Sequence, residues 1–395
     1  MRALLKAFKT EIAPTKEQKE KIIRSIGIAR FLYNQYIAYN KERYKMYQRG
    51  LLDDHQKHFV SANAFDKYVN HKLKKELPWI DTCGSKARKK ALVNAETAFK
   101  KFFKGEALFP RFMKLYFPKN NKGDWKIWRH KLMIPTLKQV RLKEFGYLPV
   151  GVPVISGTVS CKAGRCYVSV VVDIDEKSKY NKDLEASYQA ITDGVGIDLG
   201  VKDLAIVSDG KVFKNIHKHS KVKRLEKRLR RAQRRLSRKY AFQKKKGGKT
   251  AAASANIDKQ RRKIQKLYQR MDHIREDYEN KVIHEIVKQH PRFMTVEDLN
   301  VKGMIKNRHL AKAVAAQRFH RLLAKLKRKA ESIGIEIRIV DRFYPSSKTC
   351  HACGHIHKGL KLKDRVYVCP ACGYTEDRDI NASLNLRDAE EYRIA

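Results

Sequence analysis

Residues 195–213 read VGIDLGVKDLAIVSDGKVF. Val195, Ile197 and Leu199 make a short apolar run that suits a buried strand. A second strand follows and turns at Asp209-Gly210, a short-hairpin signal. Asp198 lies inside the first strand, where a lone carboxylate is costly unless a metal or a partner satisfies it. Farther along come a strand in FMTVEDL (293–299), a basic helix over roughly 312–333 and a strand in IEIRIVDRF (335–343). A cysteine segment and a closing helix near 380–392 complete the run. Alternating strands and helices of this kind predict an α/β sheet flanked by helices.

Two more acids sit at the ends of these elements. Glu297 ends the apolar strand Phe293-Met294-Thr295-Val296, and Asp379 falls at the mouth of the last helix, in Asp377-Arg378-Asp379. Three carboxylates so placed can converge on two divalent ions about 3.5–4 Å apart, an arrangement that serves phosphodiester hydrolysis. Magnesium suits hard carboxylate oxygens best. Each acid also has a plain alternative. Asp198 could pair with a Lys or Arg, Asp298 could replace Glu297, and Asp379 could be a helix N-cap with Asp377 as the ligand.

Four cysteines are spaced Cys350-x2-Cys353 and Cys369-x2-Cys372, with Gly354 and Gly373 one residue beyond each pair. That spacing predicts two tight knuckles pointing four thiolates at one structural zinc. Metal binding would supply the folding free energy of so small a ribbon. Cys83, Cys161 and Cys166 are left over, an odd number that argues against a disulfide framework and for a reducing cytoplasm. Cys161 and Cys166 fall on the two arms of SCKAGRCYVSV (160–170), a hairpin turning at Ala163-Gly164, and read as ordinary strand residues.

The 395 residues carry 88 Lys and Arg against 41 Asp and Glu, a formal charge of +47. An excess that large needs a polyanion to offset its self-repulsion. No apolar stretch approaches membrane-spanning length. Between Lys214 and Lys249 there are seventeen Lys and Arg and one acid, Glu226, over a thin stripe of Leu225, Leu229 and Leu236. This predicts a helix with a cationic exterior, on which Arg228, Arg231, Arg235 and Arg238 are candidate nucleic-acid contacts. GGKTAAASAN (247–256) reads as the break, and Ile264, Leu267, Met271 and Ile274 as the returning helix. At the other end, Thr15 and Gln18 have capping-box spacing before a helical pattern that starts at Ile22.

The ordered set of motifs resembles TnpB, the nuclease of certain bacterial and archaeal insertion sequences, and the related compact type V CRISPR effectors. GIDLGVKDLA (196–205) and VEDLNVKGM (296–304) look like the first two RuvC motifs. SSKTCHACG (346–354) and CPACGYTEDRDINASLN (369–385) look like the ribbon and the third motif. PTKEQ (14–18), RFLYN (30–34), AFKKFF (98–103) and FPRF (109–112) also resemble that family. The resemblance implies a multidomain α/β chain. A wedge β-barrel would form from 1–14 and 126–190, with a helical recognition lobe over 15–125. An RNase H-like (RuvC) nuclease domain would span 191–345 and 377–395, with a target-nucleic-acid-binding zinc ribbon over 346–376 inserted. It further implies a guide RNA and double-stranded target DNA as partners, and work in the cytoplasm near the nucleoid. Asp198, Glu297 and Asp379 would be the catalytic, magnesium-binding triad, and the four cysteines the zinc ligands. One stretch departs from the family pattern. Where members often carry Asp-Ala-Gly-Trp character, this chain has Ala315-Ala316-Gln317-Arg318-Phe319, and no role transfers to it. Competing readings are a non-cleaving guide-RNA binder or regulator, and a RuvC-like nuclease acting without RNA. An actin-like ATPase would share VGIDLG but needs Gly and hydroxyl residues after the Asp to cradle phosphate, where this chain has Val201-Lys202-Asp203.

Overall fold

The structure is a computed structural model describing residues 5–52, 59–110, 117–119, 125–173, 193–245, 251–361 and 363–395. The chain divides into two compact units, Met1–Ser178 and Lys179–Ala395.

In the first unit, β1 (Leu5–Ala13) leads into the long helix α1 (Lys16–Gln48). The capping box forms as its spacing requires: Gln18 N donates to Thr15 Oγ1 (3.2 Å) and Thr15 N donates to Gln18 Oε1 (3.0 Å). Ile22, Ile26, Ala29, Leu32, Tyr36 and Ile37 make the buried face of α1. Helix α2 (Ala62–Tyr68) and α1 both pack against α3 (Ser85–Phe103). Tyr36 meets Phe65 and Phe99 edge-on.

The strands of this unit are β1, β2 (Phe117–Lys119), β3 (Lys126–Ile127), β4 (Lys131–Ile134), β5 (Lys138–Leu142), β6 (Val154–Lys162) and β7 (Arg165–Asp173). They form one seven-stranded antiparallel sheet in the order β2-β6-β7-β1-β5-β4-β3. The β6–β7 turn falls at Ala163 (φ 54°) and Gly164 (φ 83°). Two successive left-handed residues twist a two-residue hairpin correctly. This register makes Cys161 and Cys166 direct partners, 4.2 Å apart at Cα and joined by a disulfide. They are therefore a local cross-strand strap, not independent strand residues.

The second unit holds a six-stranded sheet in the order β10-β9-β8-β11-β12-β15. Its strands are β8 (Val195–Asp198), β9 (Asp203–Val207), β10 (Val212–Lys214), β11 (Phe293–Glu297), β12 (Glu336–Val340) and β15 (Arg393–Ile394). β8, β11 and β12 are parallel to one another, while β9, β10 and β15 run antiparallel to their neighbours. A two-stranded ribbon of β13 (Val366–Val368) and β14 (Thr375–Asp377) lies between β12 and the last helix in sequence. The residues of β8 and β11 ahead of their terminal acids are mostly apolar and buried, as a sheet covered on both faces requires.

Helices α4 (Ser220–Lys245) and α5 (Ala251–Val287) form a long antiparallel hairpin. They are zipped by Leu225, Leu229 and Ala232 against Ile264, Leu267 and Met271. The returning helix starts at Ala251, inside the segment expected to break it, because alanine is the strongest helix former. Then follow α6 (Val301–Lys306), α7 (Ala311–Gln317), α8 (Phe319–Glu331) and α9 (Arg378–Arg387). The single helix expected over 312–333 is thus two, parted at Arg318, whose φ is 55°.

Candidate active site

Asp198 is the last residue of β8 and Glu297 the last of β11. The parallel register pairs Val296 with Ile197, so the two carboxylates stand one step further along on adjacent strands, which lie about 4.8 Å apart. In open α/β sheets this carboxyl-end edge is where ligands bind.

Asp379 arrives on α9, which lies against β8. The approach is so close that a Cβ on Gly196 would stand 1.9 Å from Ser383 O and 2.4 Å from Arg387 N. Glycine at 196 is what lets this helix rest on the strand backbone. The N-cap of α9 is Asp377, whose carboxylate accepts from Asp379 N (2.9 Å) and Ile380 N (3.3 Å). Asp377 therefore does the capping, and Asp379 is left in the first turn beside Arg378 (2.8 Å) and Arg365 (3.7 Å).

Electrostatics tie the three acids together. Burial, then the charges of Glu297 and Asp379, push Asp198 up to about 7. Burial also raises Glu297, against a hydrogen bond from the Ser346 hydroxyl that lowers it. Asp298 is engaged elsewhere, with Arg342 (3.1 Å) and Arg393 (3.6 Å). A half-buried carboxylate such as Asp198, raised further by two neighbouring acids, favours a nearby positive charge, and a divalent cation with oxygen preference fits it. Among the described residues, only the four cysteines bring three or more ligand atoms within 4.8 Å of one another. The acids are spread more widely, as a two-ion site with ions about 4 Å apart allows.

The cysteines form two matching knuckles. Gly354 N donates to Cys350 O (2.9 Å) and Gly373 N to Cys369 O (3.0 Å). Both glycines are left-handed, at φ 72° and 75°, a conformation a side chain would strain. Cys350 Sγ lies 3.7 Å from Cys372 Sγ, and Cys353 Sγ 3.6 Å from Cys369 Sγ. A tetrahedron with zinc–sulfur bonds of about 2.3 Å has edges of about 3.8 Å, so the four thiolates fit zinc.

Residues that the sequence left without a role join ribbon to sheet. Ser346 bonds Glu297. Asn385 Nδ2 donates to Ser346 O (2.7 Å) and Thr349 O (2.7 Å), and Asn381 Nδ2 donates to Thr349 O (2.8 Å). Two asparagines four apart on one buried helix face are the signal that could have found this clamp.

Arg228, Arg231, Arg235 and Arg238 are all exposed on α4. Beside them, a cleft of about 720 Å³ is lined by Lys239, Lys259, Arg262, Lys263 and Lys266, with no acid among its lining residues. The α4–α5 hairpin presents a surface suited to phosphates. No helix of the described residues is long and apolar enough to cross a membrane.

Comparison with known proteins finds relatives along nearly the whole chain. Residues 170–308 match the OrfB family of IS605 elements, described as "Probable transposase", and residues 319–386 match the "Cas12f1-like, TNB domain". The InsQ protein of Escherichia coli (strain K12) is 28% identical, over 97% of this chain and 91% of its own. A protein of Streptomyces pristinaespiralis is 29% identical, over 98% and 89%. Both carry the name "Putative RNA-guided DNA endonuclease". The TnpB-like protein L79 of Acanthamoeba polyphaga mimivirus is 29% identical over 33% of this chain and 26% of its own. The chain is similar to the OrfB proteins of IS605 elements and to TnpB-like proteins. A third family match, described as "Helix-turn-helix domain", covers residues 1–49. In this chain the described part of that segment is one strand followed by one 33-residue helix, with no turn between two helices.

Proposed function

We propose that the chain is an RNA-guided endonuclease that cuts double-stranded DNA by divalent-metal-dependent hydrolysis at a single RuvC-like site. The observation that carries the reading is the register of β8 and β11. It sets Asp198 and Glu297 side by side at the carboxyl edge of the sheet, with Asp379 close enough to raise the pKa of Asp198.

In this reading Asp198, Glu297 and Asp379 hold two magnesium ions. Bound magnesium would supply the positive charge that activates water and offsets charge gained by the scissile phosphate. The chain's own contribution is placement. Two ligands stand on rigid parallel strands, and the third rides on a helix pinned to Gly196. Arg378 and Arg365 flank the Asp379 carboxylate, at 2.8 Å and 3.7 Å.

Cys350, Cys353, Cys369 and Cys372 bind a structural zinc, and the ribbon they fold handles target nucleic acid. Residues 191–345 and 377–395 form the nuclease domain. The helices of 15–125 form a recognition lobe, and 1–14 with 126–190 a wedge barrel. Guide RNA and target DNA lie along basic surfaces that include the α4–α5 hairpin. Pairing with the guide supplies sequence choice, while the protein grips backbone and duplex shape. The work takes place in the cytoplasm of a bacterium or archaeon, next to the nucleoid. Purification with sequencing of the bound RNA, followed by cleavage of a plasmid matching its variable end, tests the proposal. Cutting that needs both that RNA and magnesium supports it; cutting by RNA-free protein, or none with guide, target and metal all present, overturns it.

A further inference from the structure

We infer that Gln317 is a positioning residue for the metal site: its side-chain amide fixes the loop that follows Asp198, and so sets where that carboxylate points. The inference rests on the nuclease reading above. It assigns a role to the stretch Ala315–Phe319, where this chain departs from the family pattern.

Asp198 ends β8, and Leu199–Lys202 bridge it to β9. A carboxylate that coordinates magnesium must bring its oxygen to about 2.0–2.1 Å in near-octahedral geometry. A loose bridge would blur that position. Lys218 Nζ donates to Lys202 O (2.9 Å) at the far end of the bridge, and three amide contacts hold its middle. Gln317 Nε2 donates its two hydrogens to Gly200 O (3.2 Å) and Val201 O (3.3 Å), and Asn215 Nδ2 donates to Val201 O (2.8 Å). Gln317 is 3% exposed, among Val314 and Phe319 of the sheet's apolar core. A buried amide there is explained by the two carbonyls it serves.

Gln317 is itself held firmly. It is the last residue of α7, and Arg318 after it is left-handed, costly for a residue with a Cβ. Such strain persists only where the surroundings fix it. They do: Arg318 is paired with Asp272 and lies 3.8 Å from Glu279, both on α5. His217 Nε2 lies 2.9 Å from Ala316 O. Arg321 (3.4 Å) and Lys325 (2.9 Å) of α8 close on the same Glu279 carboxylate, which is buried. The bend between α7 and α8 thus aims one glutamine at the loop beside the catalytic strand.

The test uses full-length protein with its guide RNA. Three variants are compared: Gln317→Leu, which keeps bulk and removes both donors; Gln317→Glu, which turns acceptors toward the two carbonyls; and Val314→Ala, a packing control on the same helix. Manganese binding is read by electron paramagnetic resonance, and guide-directed cleavage is titrated with magnesium. Both Gln317 variants should weaken manganese binding and raise the magnesium midpoint by about tenfold or more, the usual effect of losing an outer-sphere support. Target binding should be unchanged, and saturating magnesium should restore most of the rate. Val314→Ala should lower the melting temperature without moving either midpoint. Unchanged metal midpoints in Gln317→Leu and Gln317→Glu, or an equal shift in Val314→Ala, would overturn the inference. If Gln317→Leu fails to fold, the manganese titration of Gln317→Glu decides. Wild-type protein that neither binds manganese nor cuts would instead sink the nuclease reading on which this one stands.

Discussion

Ser346, four residues ahead of the first knuckle cysteine, donates its hydroxyl to the carboxylate of Glu297. Its own carbonyl is held by Asn385 of α9. The entry to the ribbon, the second acid and the helix bearing the third acid are thereby one hydrogen-bonded assembly, so disturbing the ribbon should be felt at the acids.

Cys369→Ser tests this coupling. Zinc content by elemental analysis should drop from about one per chain toward zero, and cleavage should fall along with it although no acid is touched. Full zinc retention would mean the ligand set is wrong. Zinc loss with undiminished cutting would mean that ribbon and acids are independent.

Gly196→Ala places a methyl against backbone atoms of Ser383 and Arg387, which cannot swing aside. Overpacking of this kind costs about 1–3 kcal/mol, and here the strain falls on the helix that carries Asp379. Chemical denaturation should show that loss, with cleavage reduced further than stability and guide binding retained. Wild-type cleavage in this variant would show that α9 can move off the strand without harm.

The pH response follows from Asp198. Its folded-state pKa of about 7 lies above the ordinary 3.8, so across that window the folded chain holds a proton that the unfolded chain has released. Without divalent metal, stability should therefore decline as pH rises from about 4 to about 7. Asp198→Asn removes the titration. In chelator at pH 8 its melting temperature should exceed that of the wild type, and the two should converge near pH 4. Magnesium should raise the wild type more than the variant at pH 8. Parallel melting curves at all pH values would contradict a strained carboxylate at this position.

Replacing Arg228, Arg231, Arg235 and Arg238 with glutamine should weaken nucleic-acid binding and flatten its dependence on salt. Each lost phosphate contact removes about 0.9 from the slope of log K against log salt on duplex DNA, so four contacts change it by about 3–4. An unaltered slope would place this face of α4 in bulk solvent.

Features written in local spacing are legible in the amino-acid sequence. Thr15 and Gln18 define a helix start by chemistry that needs no partner, Ala163-Gly164 a hairpin, and the four cysteines two knuckles. Asp198 and Glu297 stand out because each interrupts an apolar strand. Decisions made by tertiary contact are not legible in that way. Val314, Leu322 and Leu326 suit one continuous helix, yet Asp272 and Glu279 on a distant element capture Arg318 and break it. Asp377 and Asp379 are interchangeable in sequence, and only the start of α9 separates the capping carboxylate from the one in the first turn. Cys161 and Cys166 look independent until the turn type sets their register. Gln317 carries no signal because its partners are backbone carbonyls over a hundred residues away.

Divalent ions shared by Asp198, Glu297 and Asp379 are what the proposed nuclease chemistry requires. Anomalous diffraction from crystals soaked in manganese, at a wavelength where manganese scatters, looks for them at the atoms concerned. Two peaks about 4 Å apart are expected, each within bonding distance of at least one of these carboxylates. Manganese bound elsewhere, with these three side chains in contact with protein alone, would refute the shared-metal site.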